Sequence, residues 1–341
     1  VRNIQIFLES VKENFDGFEE NLNVANPDRK VGGKSKKREQ KDESESQEKK
    51  VKFDDMKFDE MKFVTREELA QDQGTAGDDN FYVKILSVKD FSNVLLGCCN
   101  IPNIEFVIMT FAQEGMQLYA KPSESSAAIT AFLGKDYFSE YRVSKTTKRV
   151  LEKSRLESLK KKISKEVESL EITPLTTGLE GYTFSGYRVY KTGGKCKFTF
   201  NCPERAEDID VVDFSSSRWD WQIKTSSQKF KDNVEFIDDS NDYIQMSIKS
   251  DGLEFTGIRD TGHIGETINQ EIEGKITDKF EALFQKKYLK ILTSTKDLNR
   301  MLTISFNLES NTLFPVHFCY ELDQSQPQSQ FSCFIMPATI Q

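Results

Sequence analysis

The chain has 341 residues, 37% of them apolar and 11% aromatic, with 47 Lys and Arg set against 55 Asp and Glu for a formal net charge of −8. That is enough apolar material for the cores of two ordinary domains, while no run approaches a membrane span and no apolar stretch at the start resembles a secretion signal, so a soluble, intracellular protein is expected. The acidic total argues against a nucleic-acid partner only when charge is read as one sum, because phosphate binding depends on where lysines cluster.

Residues 1–79 read as an arm that precedes the folded part. Ile4, Phe7, Leu8, Val11, Phe15, Phe18 and Leu22 recur at three-to-four-residue spacing, which predicts one amphipathic helix. The stretch from Pro27 to Lys50 is almost wholly charged or polar, too poor in apolar groups to offset chain entropy, and reads as a tether. Lys-Phe then recurs at Lys52, Lys57 and Lys62, a period that matches neither a helical face nor a strand. Gly33-Lys34-Ser35 has the ending of a phosphate loop, but Asp28 stands where the loop needs glycine and no strand precedes it. The cluster Lys34, Lys36, Lys37, Arg38 and Lys41 is a nuclear-import candidate, with a solvated linker as the plainer alternative.

From Phe81 the pattern becomes regular. A strand at 81–86, a helix near 88–99 and a hairpin at 105–120 are followed by strands near 127–133 and 137–143, a helix near 154–165, and strands at 168–175, 182–190 and 195–202. The same order then returns: a strand at 219–225, a helix near 227–238, a hairpin at 243–258, strands at 264–272 and near 279–283, a helix near 285–293, and strands at 301–308, 316–322 and 331–336. The two hairpins carry the repeat most plainly. Alternating apolar runs are split by Glu114-Gly115 in the first and by Asp251-Gly252 in the second, which points to one unit made twice. Each unit is expected to be α+β, mostly antiparallel sheet with two helices covering one face.

The helices carry the charge of interest. With Phe91, Val94 and Leu95 packed, Lys89 and Asn93 face out; with Leu156, Leu159 and Ile163 packed, Arg155, Ser158, Lys161, Lys162 and Lys165 face out. With Phe230, Val234 and Ile237 packed, Lys229 and Lys231 face out; with Tyr288, Leu289 and Leu292 packed, Lys286, Lys287 and Lys290 face out. Exposed helix faces are commonly charged, so no single lysine is informative. Their recurrence on equivalent helices predicts a basic lining suited to a duplex backbone and indifferent to sequence. Asp232 and Glu235 make the third helix less basic, so the grip on a duplex is expected to be asymmetric.

Little suggests catalysis. The two histidines are His263, in a loop, and His317, inside an apolar strand where a packed residue is expected. Cys98, Cys99, Cys196, Cys202, Cys319 and Cys333 lie mostly in apolar or alternating segments and read as reduced core residues, with no spacing that suits zinc. Asp238, Asp239 and Asp242 form an acidic turn in which a cation site is the less plain reading beside a helix-ending loop. No catalytic residue, metal or cofactor is expected.

The order of helix, acid-Gly hairpin, small-residue strand, Phe138-Ser139-Glu140-Tyr141-Arg142 and Leu-rich basic helix, then the same again, resembles the sliding clamp family of proliferating cell nuclear antigen over about 81–340. Asp251-Gly252-Leu253-Glu254-Phe255, Tyr288-Leu289, Leu302-Thr303-Ile304-Ser305 and Ile335-Met336-Pro337 add to the likeness in the second copy. The long arm and the divergent sequence look more like a clamp of a large DNA virus than a cellular one. The resemblance implies a non-catalytic processivity factor in DNA replication and repair: a homotrimeric ring of two-domain subunits, its helices around double-stranded DNA, tethering DNA polymerase and other partners through a short peptide motif. It implies clamp domains at 80–202 and 216–341, a connector at 203–215, and an apolar peptide groove from Ile209, Val211, Val212, Pro315, Phe334, Met336 and Pro337. Lys121, Ser126 and Ala128 stand where many relatives carry a Met and apolar residues, which implies a shallower pocket. Subunits would meet through 195–202 of one and 264–271 of the next, and the site of action would be the nucleus or a cytoplasmic viral replication site, with no membrane partner. The alternative is a monomeric or dimeric processivity factor, or a checkpoint-type clamp subunit, held on DNA by charge.

Overall fold

In the computed structural model the residues described run from 81 to 338, apart from 164–166, 177, 191–192, 208, 213, 215–218, 250–251, 260–263, 271, 273–279, 308–314 and 323–328. The expected N-terminal helix, the tether, the Lys-Phe tandem, Lys165 and His263 all lie outside them.

Strand β1 (Tyr82–Ile85) leads to helix α1 (Val88–Cys99), the hairpin β2 (Phe106–Ala112) and β3 (Gly115–Ala120), and β4 (Ala127–Gly134). A 3-10 turn at Lys135–Tyr137, β5 (Glu140–Arg142) and β6 (Thr147–Glu152) precede α2 (Lys153–Ile163), and β7 (Val167–Pro174), β8 (Gly181–Val189) and β9 (Lys195–Pro203) close the first half. The second half runs β10 (Trp221–Ser226), α3 (Ser227–Phe236), β11 (Tyr243–Lys249), β12 (Gly252–Ile258), β13 (Ile264–Gln270) and β14 (Phe280–Gln285). It ends with α4 (Lys286–Ser294), a 3-10 turn at Lys296–Leu298, β15 (Met301–Phe306), β16 (Val316–Glu321) and β17 (Gln330–Ile335). The fold is α+β, with antiparallel ladders and four α-helices among the described residues.

The strands form a five-stranded sheet β5-β1-β7-β8-β9, an eight-stranded sheet β10-β15-β16-β17-β4-β3-β2-β6 and a four-stranded sheet β13-β12-β11-β14. The wiring repeats: β4-β3-β2-β6 matches β13-β12-β11-β14, and β1-β7-β8-β9 matches β10-β15-β16-β17. The eight-stranded sheet joins the halves, because β17, last strand of the second, pairs with β4 of the first from Gln330↔Phe132 to Ile335↔Ala127. The corresponding strands, β9 and β13, each end a sheet.

Alternation along the strands explains the layers. In the eight-stranded sheet Val107, Met109, Leu118, Ile129, Leu151 and Cys333 join the large core, while the intervening Ile108, Tyr119, Ala128 and Val150 form a small cluster on the opposite face. α1 packs on α2, α3 on α4, and α1 also meets α4 and the strands β3 and β4 beneath it. At that crossing Gly97 of α1 lies so close to the second half that a Cβ would come within 2.5 Å of Phe331 Cζ and 2.7 Å of Thr295 Cγ2. Gly115 opens β3 against the end of β4, where a side chain would collide with the Leu133 carbonyl.

Two local expectations are corrected, and one strand was not expected. The strand expected at 137–143 is a 3-10 turn and the three-residue β5, since Tyr137, Phe138 and Tyr141 cluster their rings there. β6 was not legible because its first half, Thr147-Lys148-Arg149, is polar and half-buried, leaving only Val150 and Leu151 fully covered on opposite faces. All six cysteines are free thiols, but Cys196 is exposed on β9 and not in the core.

Candidate nucleic-acid interface and partner groove

α2 is the most basic element. Leu156, Leu159 and Ile163 bury as the spacing predicts, leaving Arg155, Ser158, Lys161 and Lys162 exposed. Within the helix Glu157 is the lone carboxylate, and it sits 3.9 Å from Lys153 at the start. Lys162 lies over the Phe200 ring at 5.7 Å and its carbonyl accepts a 2.8 Å bond from Arg188. On α1 Lys89 is exposed, whereas Asn93 is half-buried, with its Nδ2 shielded and unbonded.

The second-half helices present cations of another kind. On α3 Lys229 is exposed, while Lys231 pairs with Glu235 at 3.4 Å and Gln228 bonds Asp232 at 2.6 Å. On α4 Lys286 is a correction: it is 4% exposed and turned into the fold, not outward. Its ammonium donates to the carbonyls of Ile237 and Asp238 and to Asp239 Oδ1 at 2.9 Å, closing the end of α3 onto the start of α4. Desolvating that ammonium is costly unless each proton is used, which these three acceptors achieve. Asp239 Oδ1 also receives Lys290 at 2.8 Å. Hydrogen bonds from Lys290 and Lys286 hold the Asp239 carboxyl down to about 2. Lys287 lies 3.7 Å from Glu124, a residue of the β3–β4 loop in the other half. Partial burial works to raise the Glu124 carboxyl, but bonds from Tyr288 Oη at 2.6 Å, its own backbone and Asn103 at 3.1 Å, with the Lys287 charge, bring it to about 2. Asp239, Asp242, Tyr243, Lys286, Lys287 and Lys290 help line a cavity of about 570 Å³.

The acidic turn is therefore used within the fold. Asp239 serves two lysines, the Asp238 carboxylate accepts from Ser240 N at 2.7 Å, and the Asp242 carbonyl accepts from Lys286 N at 2.8 Å. Among the described residues no group of His, Cys, Asp and Glu side chains is placed to hold a metal ion.

The connector lies on the sheet face opposite the core. Ile209 and Phe214 pack on Ile108, Tyr119, Ala128 and Val150, and Val212 N donates to Tyr119 Oη at 3.1 Å. Phe214 stacks on Phe334 at 4.0 Å, Phe334 on His317 at 4.6 Å and His317 on Trp219 at 5.5 Å, a ladder joining the C-terminal end of the connector and the segment after it to β16 and β17. Such stacked pairs contribute about 0.5–1.5 kcal/mol each beyond the area they bury. Of the expected groove residues, Ile209, Val212 and Phe334 are thus gathered here; Phe334 is 6% exposed, so it is covered by the connector and is not an open anchor. Val211 remains 43% exposed. Pro315, Met336 and Pro337 are half-buried, and Met336 N donates to Ser126 O at 2.9 Å. Sequence reasoning missed Tyr119, one of the alternating residues of the first hairpin, and Phe214 and Trp219, whose only signal was an aromatic residue inside or beside a polar linker.

Where β9 runs out, Glu204 bridges to Leu151 of β6 and shares Arg149 with Glu180, at 3.3 Å and 3.1 Å respectively. Burial, opposed by Arg149 and reinforced by a hydrogen bond with Glu180, raises the Glu204 carboxyl to about 7.

No family model matches the chain, and no curated protein is detectably similar to it. No helix among the described residues is long and apolar enough to cross a membrane.

Proposed function

We propose that the protein is a DNA sliding clamp: a non-catalytic processivity factor that closes into a ring, a homotrimer by its family resemblance, around duplex DNA and tethers a polymerase and other replication or repair proteins. The observation that carries this reading is the joint between β17 and β4. The same two strands of the repeat, β9 and β13, stand at open sheet ends, so β9 of one chain against β13 of the next would repeat the internal joint. Such head-to-tail pairing closes into a ring when its rotation allows. Side-chain burial on β9 is in keeping with an edge that awaits a partner, since Lys195, Cys196, Lys197, Thr199 and Asn201 are exposed.

Two further features support the reading. The helices pack on the sheet face opposite the connector, so the exposed cations of α2 and the connector with its aromatic ladder belong to opposite sides of the eight-stranded sheet. The connector's Val211 is exposed and Pro315, Met336 and Pro337 are half-buried, a set that suits a short apolar peptide better than a small polar ligand.

Topological trapping tests the proposal. Protein assembled on nicked circular DNA is expected to stay bound through a high-salt wash and to leave once the circle is linearised. Loss from the intact circle in high salt marks an electrostatic binder and sinks the ring.

A further inference from the structure

We infer that Asp239 and Glu124 act as internal phosphate mimics that cap the lysines of α4 and weaken the grip of that helix on the duplex. The inference rests on the proposed clamp reading and deepens it.

Three observations carry it. Lys290 and the buried Lys286 converge on one oxygen of Asp239, whose side chain is 80% exposed. A carboxylate in that position accepts the charge-assisted bonds that a backbone phosphate would accept. Lys287 is paired across the halves with Glu124, which Tyr288 and Asn103 hold in place. Both carboxyls are held near 2, so both caps stay charged throughout the neutral range.

The consequence is electrostatic. A phosphate arriving at α4 must displace or face a carboxylate, so fewer counterions are released there than the lysine count suggests. Exposed ion pairs are individually weak, so the caps reduce the contact without abolishing it.

Binding of a fluorescein-labelled duplex to the full chain, titrated against salt, tests this with Glu124→Gln and Asp239→Asn made separately. Glu124→Gln keeps an acceptor for Tyr288 and Asn103, which guards against a folding failure; Asp239→Asn is read only with an unchanged circular dichroism melt. Each is expected to tighten binding about fivefold at 0.1 M salt and to steepen the log–log salt slope by about 1. Lys287→Ala with Lys290→Ala, added to the uncapped protein, is expected to reverse the gain. Duplex binding by the wild type with neither affinity nor slope altered by Glu124→Gln overturns the inference and leaves the clamp reading in place. No duplex binding by wild type or variants, with no trapping on circles, overturns both.

Discussion

Burial holds the His317 imidazole neutral, its pKa pushed down to about 3, with Nε2 set 3.0 Å from Ser332 Oγ. The unfolded chain takes up that proton near the ordinary value of 6.5, so His317 contributes stability above 6.5 that is lost as pH falls toward 3. Glu204 has the opposite sign. Its carboxyl rises from 4.5 to about 7, so the folded chain binds the proton first, and this contribution is complete below 4.5 and lost as pH rises through 7. The charged groups facing it are Arg149 of β6 and Glu180 beside β8. His317 is fully enclosed whereas Glu204 is partly solvated and screened, so the imidazole should dominate below pH 6. Urea midpoints are accordingly expected to fall from pH 6.5 to pH 4.5 in the wild type. Glu204→Gln should steepen that fall and flatten the change between pH 6.5 and 8; an unaltered profile above pH 6.5 would show that Glu204 titrates normally.

At the scale of elements, the crossing of α1 over the second half depends on one missing side chain. Gly97→Ala gains about 1 kcal/mol of helix propensity, but its methyl meets Phe331 and Thr295, which are 0% and 1% exposed and have nowhere to move. Overpacking of this kind costs about 1–3 kcal/mol, so a net loss of up to about 2 kcal/mol is expected in thermal or urea unfolding. A gain in stability would mean that the helix shifts freely over β17. The same helices show what was legible in the sequence. Three-to-four-residue spacing identified Leu156, Leu159 and Ile163, Phe230 and Val234, and Tyr288, Leu289 and Leu292 as inward, and all are buried. It placed Lys286 outward because periodicity sees only the helix itself, while the acceptors that draw the ammonium inward come from Ile237, Asp238 and Asp239 at the end of α3. β6 escaped notice for a related reason, since its polar half is covered by Glu180 and Glu204, which approach from other segments.

On the scale of the whole molecule, the open edge of β9 has a testable polarity. Glu204 N bonds Glu180 O and Tyr190 N bonds Gly194 O, so even-numbered residues of this ladder turn their backbone groups toward β8 and odd-numbered ones turn outward. Thr199→Pro therefore removes an outward N–H while sparing the β8 ladder. If the proposed ring uses this edge, native mass measurement should shift from a closed oligomer to monomer, with the melt of the single chain little changed; an oligomer that survives the substitution places the interface elsewhere. The sequence alone determined the α+β character, the repeated order of elements, the hairpins and the buried helix faces, because those follow from periodicity and turn chemistry within a few residues. Only the tertiary structure decided that β17 joins β4, that Phe214, Phe334, His317 and Trp219 stack into one ladder, and that Glu124 and Asp239 occupy the α4 lysines. Each of these brings together groups from distant parts of the chain, and charge or aromaticity in a linear sequence does not say which partner the fold will set beside it.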